Sequence, residues 1–271
     1  MQPQELTPTP IKEVPLSRSP LVKVVAQVRF PPILSISDPT KVAVVQELLR
    51  DTYAYLGENQ VHHVALPPGG EPNVTRDLIW RFSDDANEPR WRVSLGIGFV
   101  ALETSNYSSR DDFLDRFRTV VAAVEEAFSP PEAVRLGLRY VDRLSGEAIG
   151  RIRELVRHEA LGVLGPARTS SPALGDSVIH LITDAQFAAP ENACIQGRWG
   201  QLPPGATYDP NVIDPHDETS WCLDFDMFTT TRRPFASAGL HAEASRFAVH
   251  LYWLFRQVVT DEFLRFYGGK P

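Results

Sequence analysis

Apolar and polar residues alternate in short segments along most of this chain, and this period of two constrains the fold more than any other feature. In the first segment, Val24, Ala26 and Val28 fall on one face of an extended strand, with Lys23 and Gln27 on the other. Consecutive strands with short connections must be antiparallel, because a parallel pair needs a long crossover. We expect strands at 23–30, 61–66, 78–82, 93–97, 134–141, 178–183, 193–199 and 221–228. Residues 100–104 either continue the strand at 93–97 past a bulge or form the second arm of a hairpin.

Helical periodicity is clearest in residues 109–128, where apolar residues recur at steps of three and four. Ser109 and Asp112 resemble a capping box at the start of this helix, and Pro130-Pro131 ends it. We also expect a helix from Asp38 or Thr40 to about Tyr55, a short one over 152–164 and a long one over 241–267. The sequence therefore predicts an α+β fold, in which antiparallel sheet is packed against long amphipathic helices.

Each half of the chain reads as an antiparallel meander followed by one long helix. We therefore expect two similar α+β halves, 21–145 and 146–271, that form one integrated domain. Residues 1–20 contain five prolines and predict an extended arm that is ordered only if something covers it.

The composition narrows the class of protein. The 271 residues carry a net charge of -7, which disfavours duplex nucleic acid as the main partner because phosphate contacts need a basic surplus. Two cysteines, Cys194 and Cys222, are too few and too far apart for a disulfide framework or a common zinc site. The Pro-rich start lacks the apolar region of a signal peptide, and no apolar stretch reaches the length of a membrane span. We expect a cytoplasmic protein that does not enter a membrane.

The most distinctive segment is Arg-Leu-Gly-Leu-Arg-Tyr-Val-Asp-Arg at 135–143. The chain also contains the segments 20–22 and 28–30, 80–82, 102–107 with Phe113 and Phe117 after it, 223–228, 240–241 and the helix at 255–261. Together they resemble a sporadically distributed, uncharacterised family of bacterial proteins of roughly this length. The resemblance implies no catalytic residues. The patchy distribution implies a place in a horizontally moving system, such as phage defence or a toxin–antitoxin module.

An arginine row is the first candidate site. Arg135, Arg139 and Arg143 are spaced by four residues, so they share one face of a strand. Gly137 leaves room for a ligand to approach the backbone, and guanidinium groups bind phosphate or carboxylate with both arms. The pairs Trp80-Arg81 and Trp91-Arg92 add stacking surfaces and charge for single-stranded nucleic acid. The commoner alternative is a solvated sheet face whose arginines pair with carboxylates.

A group of acidic residues is the second candidate site. Asp224 and Asp226 share a strand face, and the preceding loop supplies Asp214 and His216. Carboxylates and a histidine can hold Mg²⁺ or Mn²⁺ for phosphodiester chemistry. Asp-x-Asp on a strand is also common on solvated surfaces, so a site without a metal is the alternative.

No nucleophile motif, Walker loop or dinucleotide fingerprint occurs in the sequence. We interpret His180 as a half-buried strand residue and His250 as part of the terminal helix. The sequence thus favours a non-catalytic recognition or assembly protein of a bacterial accessory system, without a cofactor, that binds a protein partner or itself. Two alternatives stay open: a metal-dependent phosphodiesterase or nuclease built on Asp224 and Asp226, and an anion or nucleotide sensor built on Arg135, Arg139 and Arg143.

Overall fold

The computed structural model of the chain describes residues 4–9, 11–65, 73–165 and 173–271. Side chains are described at all of these positions except 60–65, 73–77 and 173–174. The strands are β1 (Leu21–Arg29), β2 (Tyr55–Ala65), β3 (Asn73–Ser83), β4 (Trp91–Gly96), β5 (Phe99–Thr104), β6 (Glu132–Ala133), β7 (Arg135–Leu144), β8 (Leu181–Ala189), β9 (Ala193–Leu202), β10 (Ser220–Thr229) and β11 (Arg233–Pro234). The helices are α1 (Pro39–Leu49), α2 (Arg110–Phe128), α3 (Glu147–Gly150), α4 (Ile152–Leu155), α5 (Ala173–Asp176), α6 (Ser237–Val258) and α7 (Asp261–Phe266).

The nine longer strands form one large antiparallel sheet, which confirms the predicted α+β class. The hydrogen-bonded order is β2-β3-β4-β5-β1-β7-β10-β9-β8, and β11 pairs with β6 in a separate small sheet. β4 and β5 form a hairpin, with Gly96 opposite Phe99. Of the two alternatives for residues 100–104, the hairpin is therefore the one observed.

Two compact units divide the chain, and each is discontinuous in sequence. The first unit contains residues 1–24, 138–229 and 246–271. The second contains residues 25–137 and 230–245. Strands β1 and β7 and helix α6 each contribute residues to both units.

The second unit is built on the alternation of β3, β4 and β5. One face of these strands is buried, and its side chains are Trp80, Phe82, Val93, Leu95, Val100 and Leu102. Helix α2 begins where the sequence predicts, because the Ser109 side chain accepts a hydrogen bond from the Asp112 amide at 3.2 Å. It buries Phe113 and Phe117, and α1 packs beside it.

The core of the first unit includes alternate side chains of β10 and side chains of helix α6. Trp221, Leu223, Phe225 and Met227 are buried, as are Phe247 and Leu251 of α6. The predicted helix over 241–267 is in fact two helices, because α6 ends at Val258 and α7 begins at Asp261. The Thr260 side chain caps α7 and also donates to the carbonyl of Glu154 at 2.7 Å. A tertiary contact therefore sets this break.

The proline-rich arm is held against the first unit. The Val14 amide donates to the Tyr252 hydroxyl at 2.9 Å, and the Arg18 amide donates to the Tyr267 carbonyl at 3.1 Å. The Arg18 guanidinium also lies 6.0 Å from the centre of the Phe266 ring. The aromatic residues of the terminal helices thus hold the arm.

Three other local predictions differ from the structure. Helix α1 ends at Leu49 rather than near Tyr55, and its Leu48 side chain is 41% exposed beside a surface cavity. The segment 152–164 contains one turn of α-helix and a 3₁₀ turn at Gly162–Leu164 in place of a continuous helix. Strand β8 begins at Leu181 rather than 178, so His180 lies before the strand and is exposed.

Candidate functional site

Four charged side chains form a row across the strands of the first unit. They are Arg139 on β7, Asp224 on β10, Arg198 on β9 and Asp184 on β8. Asp224 is directly opposite Arg198, and Arg198 is directly opposite Asp184. The signs alternate along this charged row, so neighbouring strands present opposite charges to each other.

The strongest contact of the charged row joins Arg139 to Asp224. The guanidinium donates from Nε to Oδ1 and from Nη2 to Oδ2, each at 2.7 Å. The side chain of Asp224 is only 4% exposed, and that of Arg139 is 20% exposed. Burial opposes the charged guanidinium, but the hydrogen bonds and charge of Asp224 outweigh it and raise the pKa of Arg139. This is a closed two-armed ion pair.

The outer half of the charged row is more open. Arg198 donates from Nη2 to Asp184 at 2.9 Å, and the Asp184 side chain is 50% exposed. Gln196 donates to the other oxygen of Asp184. The guanidinium of Arg198 lies 5.1 Å from the centre of the Tyr208 ring. Burial and the charge of Asp224 raise the pKa of Tyr208.

The loop between β9 and β10, residues 203–219, packs on this same part of the sheet. Its Asp209 carboxylate lies 3.6 Å from Arg139 Nη1. Below it is a small apolar cluster, and its buried members are Val141, Leu202, Ile213 and Cys222. Burial raises the pKa of the Cys222 thiol to about 11, so the thiol stays protonated at neutral pH. The charged row and this cluster together hold the loop on the sheet.

The arginine row predicted from sequence is therefore largely occupied by partners within the chain. Arg139 binds Asp224, and Arg143 donates from Nη2 to the carbonyl of Asp214. Arg135 belongs to the second unit, where its Nη1 lies 2.6 Å from the position that a Cβ at Gly137 would take. The space above Gly137 that the sequence offered to a ligand is filled by Arg135 itself.

The predicted acidic residues are also drawn into other contacts. Both oxygens of Asp224 accept from Arg139, and Asp226 adds to the negative charge around that guanidinium. The backbone amide of Glu218 donates a hydrogen bond to Nδ1 of His216 at 3.1 Å. Within the described ranges, no group of three or more His, Cys, Asp and Glu side chains is placed to hold a metal ion. The metal hypothesis thus gains no support from this geometry.

The second unit presents a different kind of surface on the face of β3–β5 opposite its core. One row across the strands consists of Gly57, Arg81, Ser94 and Ala101, which are direct neighbours in the pairing. The two direct neighbours of Arg81 in this row, Gly57 and Ser94, therefore have no side chain or a small one. The Nε of Arg81 is buried and has no hydrogen-bond partner among the residues that the structure describes.

Aromatic side chains do not stack above this surface as the sequence suggested. Trp80 is 2% exposed and donates from Nε1 to the Ile36 carbonyl at 2.6 Å. Trp91 is 5% exposed and lies 5.9 Å from the Phe113 ring. Both indoles therefore point into the core, because tryptophan and arginine at successive positions of a strand must face opposite ways.

Sequence reasoning missed Arg198 and Asp184 as members of the charged row, and Tyr208 and Asp209 as the loop residues that contact it. The alternation of β9 puts Arg198 on the same face as Gln196, which is visible in the sequence. Its pairing with Asp184 and Asp224 depends on strand register, which the sequence does not fix. The partners of the row were thus beyond what pattern alone indicates.

Comparison with protein-family models, with curated proteins and with solved structures gave no significant match to this chain. Among the described residues, no helix is both long and apolar enough to cross a membrane.

Proposed function

We propose that this chain is a non-catalytic recognition protein that binds a protein partner on the outer face of β3–β5. The observation that carries the proposal is the half-buried Arg81, whose Nε has no hydrogen-bond partner within the described part of the chain. A buried polar atom without a partner costs free energy, so a ligand that supplies an acceptor recovers it. The charged row offers no comparable opening, since its charges are already paired.

The surroundings of Arg81 favour a single carboxylate as the group that binds it. Because Gly57, Ser94 and Ala101 have small side chains or none, a partner side chain can approach the Arg81 guanidinium and accept two hydrogen bonds from it. Tyr55, at one end of β2, is 47% exposed and adds apolar contact area. The net charge of -7 repels a polyanion such as nucleic acid strongly, whereas it repels a single carboxylate of a partner protein much less.

One neighbouring pair marks the limit of this surface. Arg92 donates to Glu103 at 2.7 Å across the β4–β5 hairpin, so its charge is already neutralised. On this surface, Arg81 rather than Arg92 is therefore the arginine that binds the partner's carboxylate. The proposal also includes a cytoplasmic location, a place in a bacterial accessory system such as defence, and an origin of the chain from two similar meander-plus-helix halves.

Purification of the tagged full-length protein from its native bacterial host tests this function. We compare wild type, Arg81→Ala and a matched control, Arg90→Ala, which removes an exposed arginine from the turn before β4. Proteins that co-purify are identified and titrated against each variant by calorimetry. Loss of a charged hydrogen bond of about 1.5–3 kcal/mol predicts an affinity that is roughly 10- to 150-fold lower for Arg81→Ala and unchanged for Arg90→Ala.

Two results would contradict the proposal. Wild type that brings down no specific protein removes the recognition function. A partner that binds Arg81→Ala as tightly as wild type removes this surface. Native mass spectrometry before and after EDTA addresses the metal-dependent alternative, because a metal adduct lost in EDTA would restore the phosphodiesterase hypothesis.

A further inference from the structure

The outer edge of β8 has few of the features that normally keep sheet edges from pairing. β8 is the last strand in the sheet order, so only one of its sides faces another strand. Its nine residues, Leu181–Ala189, contain no proline and no lysine. The single charged residue is Asp184, whose charge is held by Arg198 at 2.9 Å. An edge of this kind is a template for another strand.

One hydrogen bond shows which residues of β8 point their backbone groups outward. The Leu6 amide of the arm donates to the Ala188 carbonyl at 2.9 Å. Because backbone groups alternate in direction along an antiparallel strand, the N–H and C=O of Ile182, Asp184 and Gln186 point outward as well. Within the described part of the chain, Leu6 supplies the only backbone hydrogen bond to this side of β8.

We propose that a second copy of this chain docks on β8 by antiparallel β8–β8 pairing when the arm leaves Ala188. A two-fold axis at Ala185 brings outward-pointing residues opposite each other, as the hydrogen bonds require. Asp184 of each copy then faces Gln186 of the other copy. In both pairs the side-chain amide of Gln186 donates to the Asp184 carboxylate. An axis at Asp184 would instead place two carboxylates opposite each other, which is unfavourable.

Two exposed apolar side chains lie outside β8, one just before the strand and one in the 3₁₀ turn at Gly162–Leu164. Ile179 is 74% exposed and Val163 is 51% exposed. Val163 follows Gly162, whose Cβ position would be 3.5 Å from the Leu181 side chain. A second copy docked at β8 covers part of this apolar surface, which adds a hydrophobic contribution to the backbone hydrogen bonds.

The arm and the second copy compete for one carbonyl. In the register centred on Ala185, the Ala188 carbonyl accepts from Ile182 of the second copy, but Leu6 already occupies it. Breaking the Leu6 hydrogen bond costs about 1 kcal/mol in each copy, so about 2 kcal/mol for a dimer, and the arm weakens self-association roughly 30-fold. The arm therefore acts as a competitor that limits pairing at this edge.

Sedimentation equilibrium of the full-length protein over a wide concentration range tests the pairing. Leu6→Pro removes the donor from both copies, and we expect a dimer dissociation constant roughly 30-fold below that of wild type. Leu6→Ala keeps the amide and serves as the matched control, with a wild-type constant. Gln186→Asp in the Leu6→Pro chain places carboxylates opposite each other and should weaken the dimer at least about fivefold. Adding Asp184→Asn to that variant should restore it.

Two results overturn the pairing: Leu6→Pro with the same mass as wild type at every concentration, or a dimer that Gln186→Asp does not weaken. Since Gln186 is exposed, these substitutions leave the core intact, and circular dichroism of each variant verifies the fold. The surface at Arg81 belongs to the other unit, so a strictly monomeric chain would reject this inference without affecting the test of the proposed function.

Discussion

Replacing Arg139 by methionine should destabilise the chain far more than replacing any exposed arginine. The substitution leaves the Asp224 carboxylate, 4% exposed, without the two hydrogen bonds of 2.7 Å that it accepts. Removing one partner of a buried ion pair typically costs about 3–5 kcal/mol, because the remaining charge stays buried and uncompensated. Asp209 loses much less, since it lies 3.6 Å away and is 29% exposed.

Arg198→Met is the matched control within the same charged row. Its partner Asp184 is 50% exposed, so water replaces the lost hydrogen bonds, and loss of this ion pair should lower the free energy of unfolding by about 1 kcal/mol or less. Loss of the contact with Tyr208 adds up to about 1 kcal/mol. The double variant Arg139→Met, Asp224→Leu removes both buried charges. It should recover most of the loss, because apolar residues of similar volume replace a buried pair at little or no cost.

Urea unfolding followed by circular dichroism measures these differences, with equal m-values as the check that the transitions are comparable. The double-mutant cycle then gives the coupling between the two side chains, which we expect to exceed 2 kcal/mol in magnitude, on the order of the values for buried pairs. A single variant that loses less than about 1 kcal/mol would refute the reasoning, as would additivity in the double variant.

Two further predictions test other parts of the structure. Burial raises the pKa of Asp142 from 3.8 to about 7, so ionisation of this carboxyl opposes folding as the pH rises from about 4 to 7. At pH 8, Asp142→Asn should therefore increase the free energy of unfolding by up to roughly 4 kcal/mol and raise the melting temperature. This advantage should disappear near pH 4, where the carboxyl is protonated in both states. A wild-type-like melting temperature for Asp142→Asn at pH 8 would contradict a charged, buried carboxyl. Gly200 has a φ of +151°, and a Cβ there would lie 1.9 Å from the Leu181 carbonyl oxygen, so Gly200→Ala should cost about 3 kcal/mol or more in urea unfolding. Gly57→Ala, where a Cβ meets open space, should change stability by less than about 1 kcal/mol, and equal effects at the two glycines would refute the β8–β9 register.

Local patterns predict the elements whose ends are set by local chemistry. Strand β1 and helix α2 lie within two residues of their predicted bounds, because alternation defines the first and Ser109 caps the second. The long C-terminal helix fails for the opposite reason. Thr260 breaks it by donating to the carbonyl of Glu154, which lies 106 residues earlier in the chain, and no local pattern contains that contact. The same holds for segment 152–164, whose turns bond to residues Val258 and Val259.

For the candidate sites, the alternation of residues predicts which face of a strand a side chain occupies, but it does not predict the partner of that side chain. Alternation correctly places Arg139 and Arg143 on one face of β7, and Asp224 and Asp226 on one face of β10. Each set, taken alone, suggests a ligand of opposite charge. The strand order brings Arg139 and Asp224 together across 85 residues of sequence, so each is the other's ligand.

This pairing changes where a functional charge should be sought. Along the charged row, Arg139, Asp224, Arg198 and Asp184 sum to zero, so neither an anion nor a cation meets a strong field from these four side chains. An arginine that recognises a partner has to keep a donor free of the chain's own carboxylates, and its small neighbours have to let that partner approach. Arg81 meets both conditions within the described residues. The arginine that we propose for partner recognition is thus the least conspicuous of the predicted ones, because the sequence identifies charges but only strand register shows which of them are already neutralised.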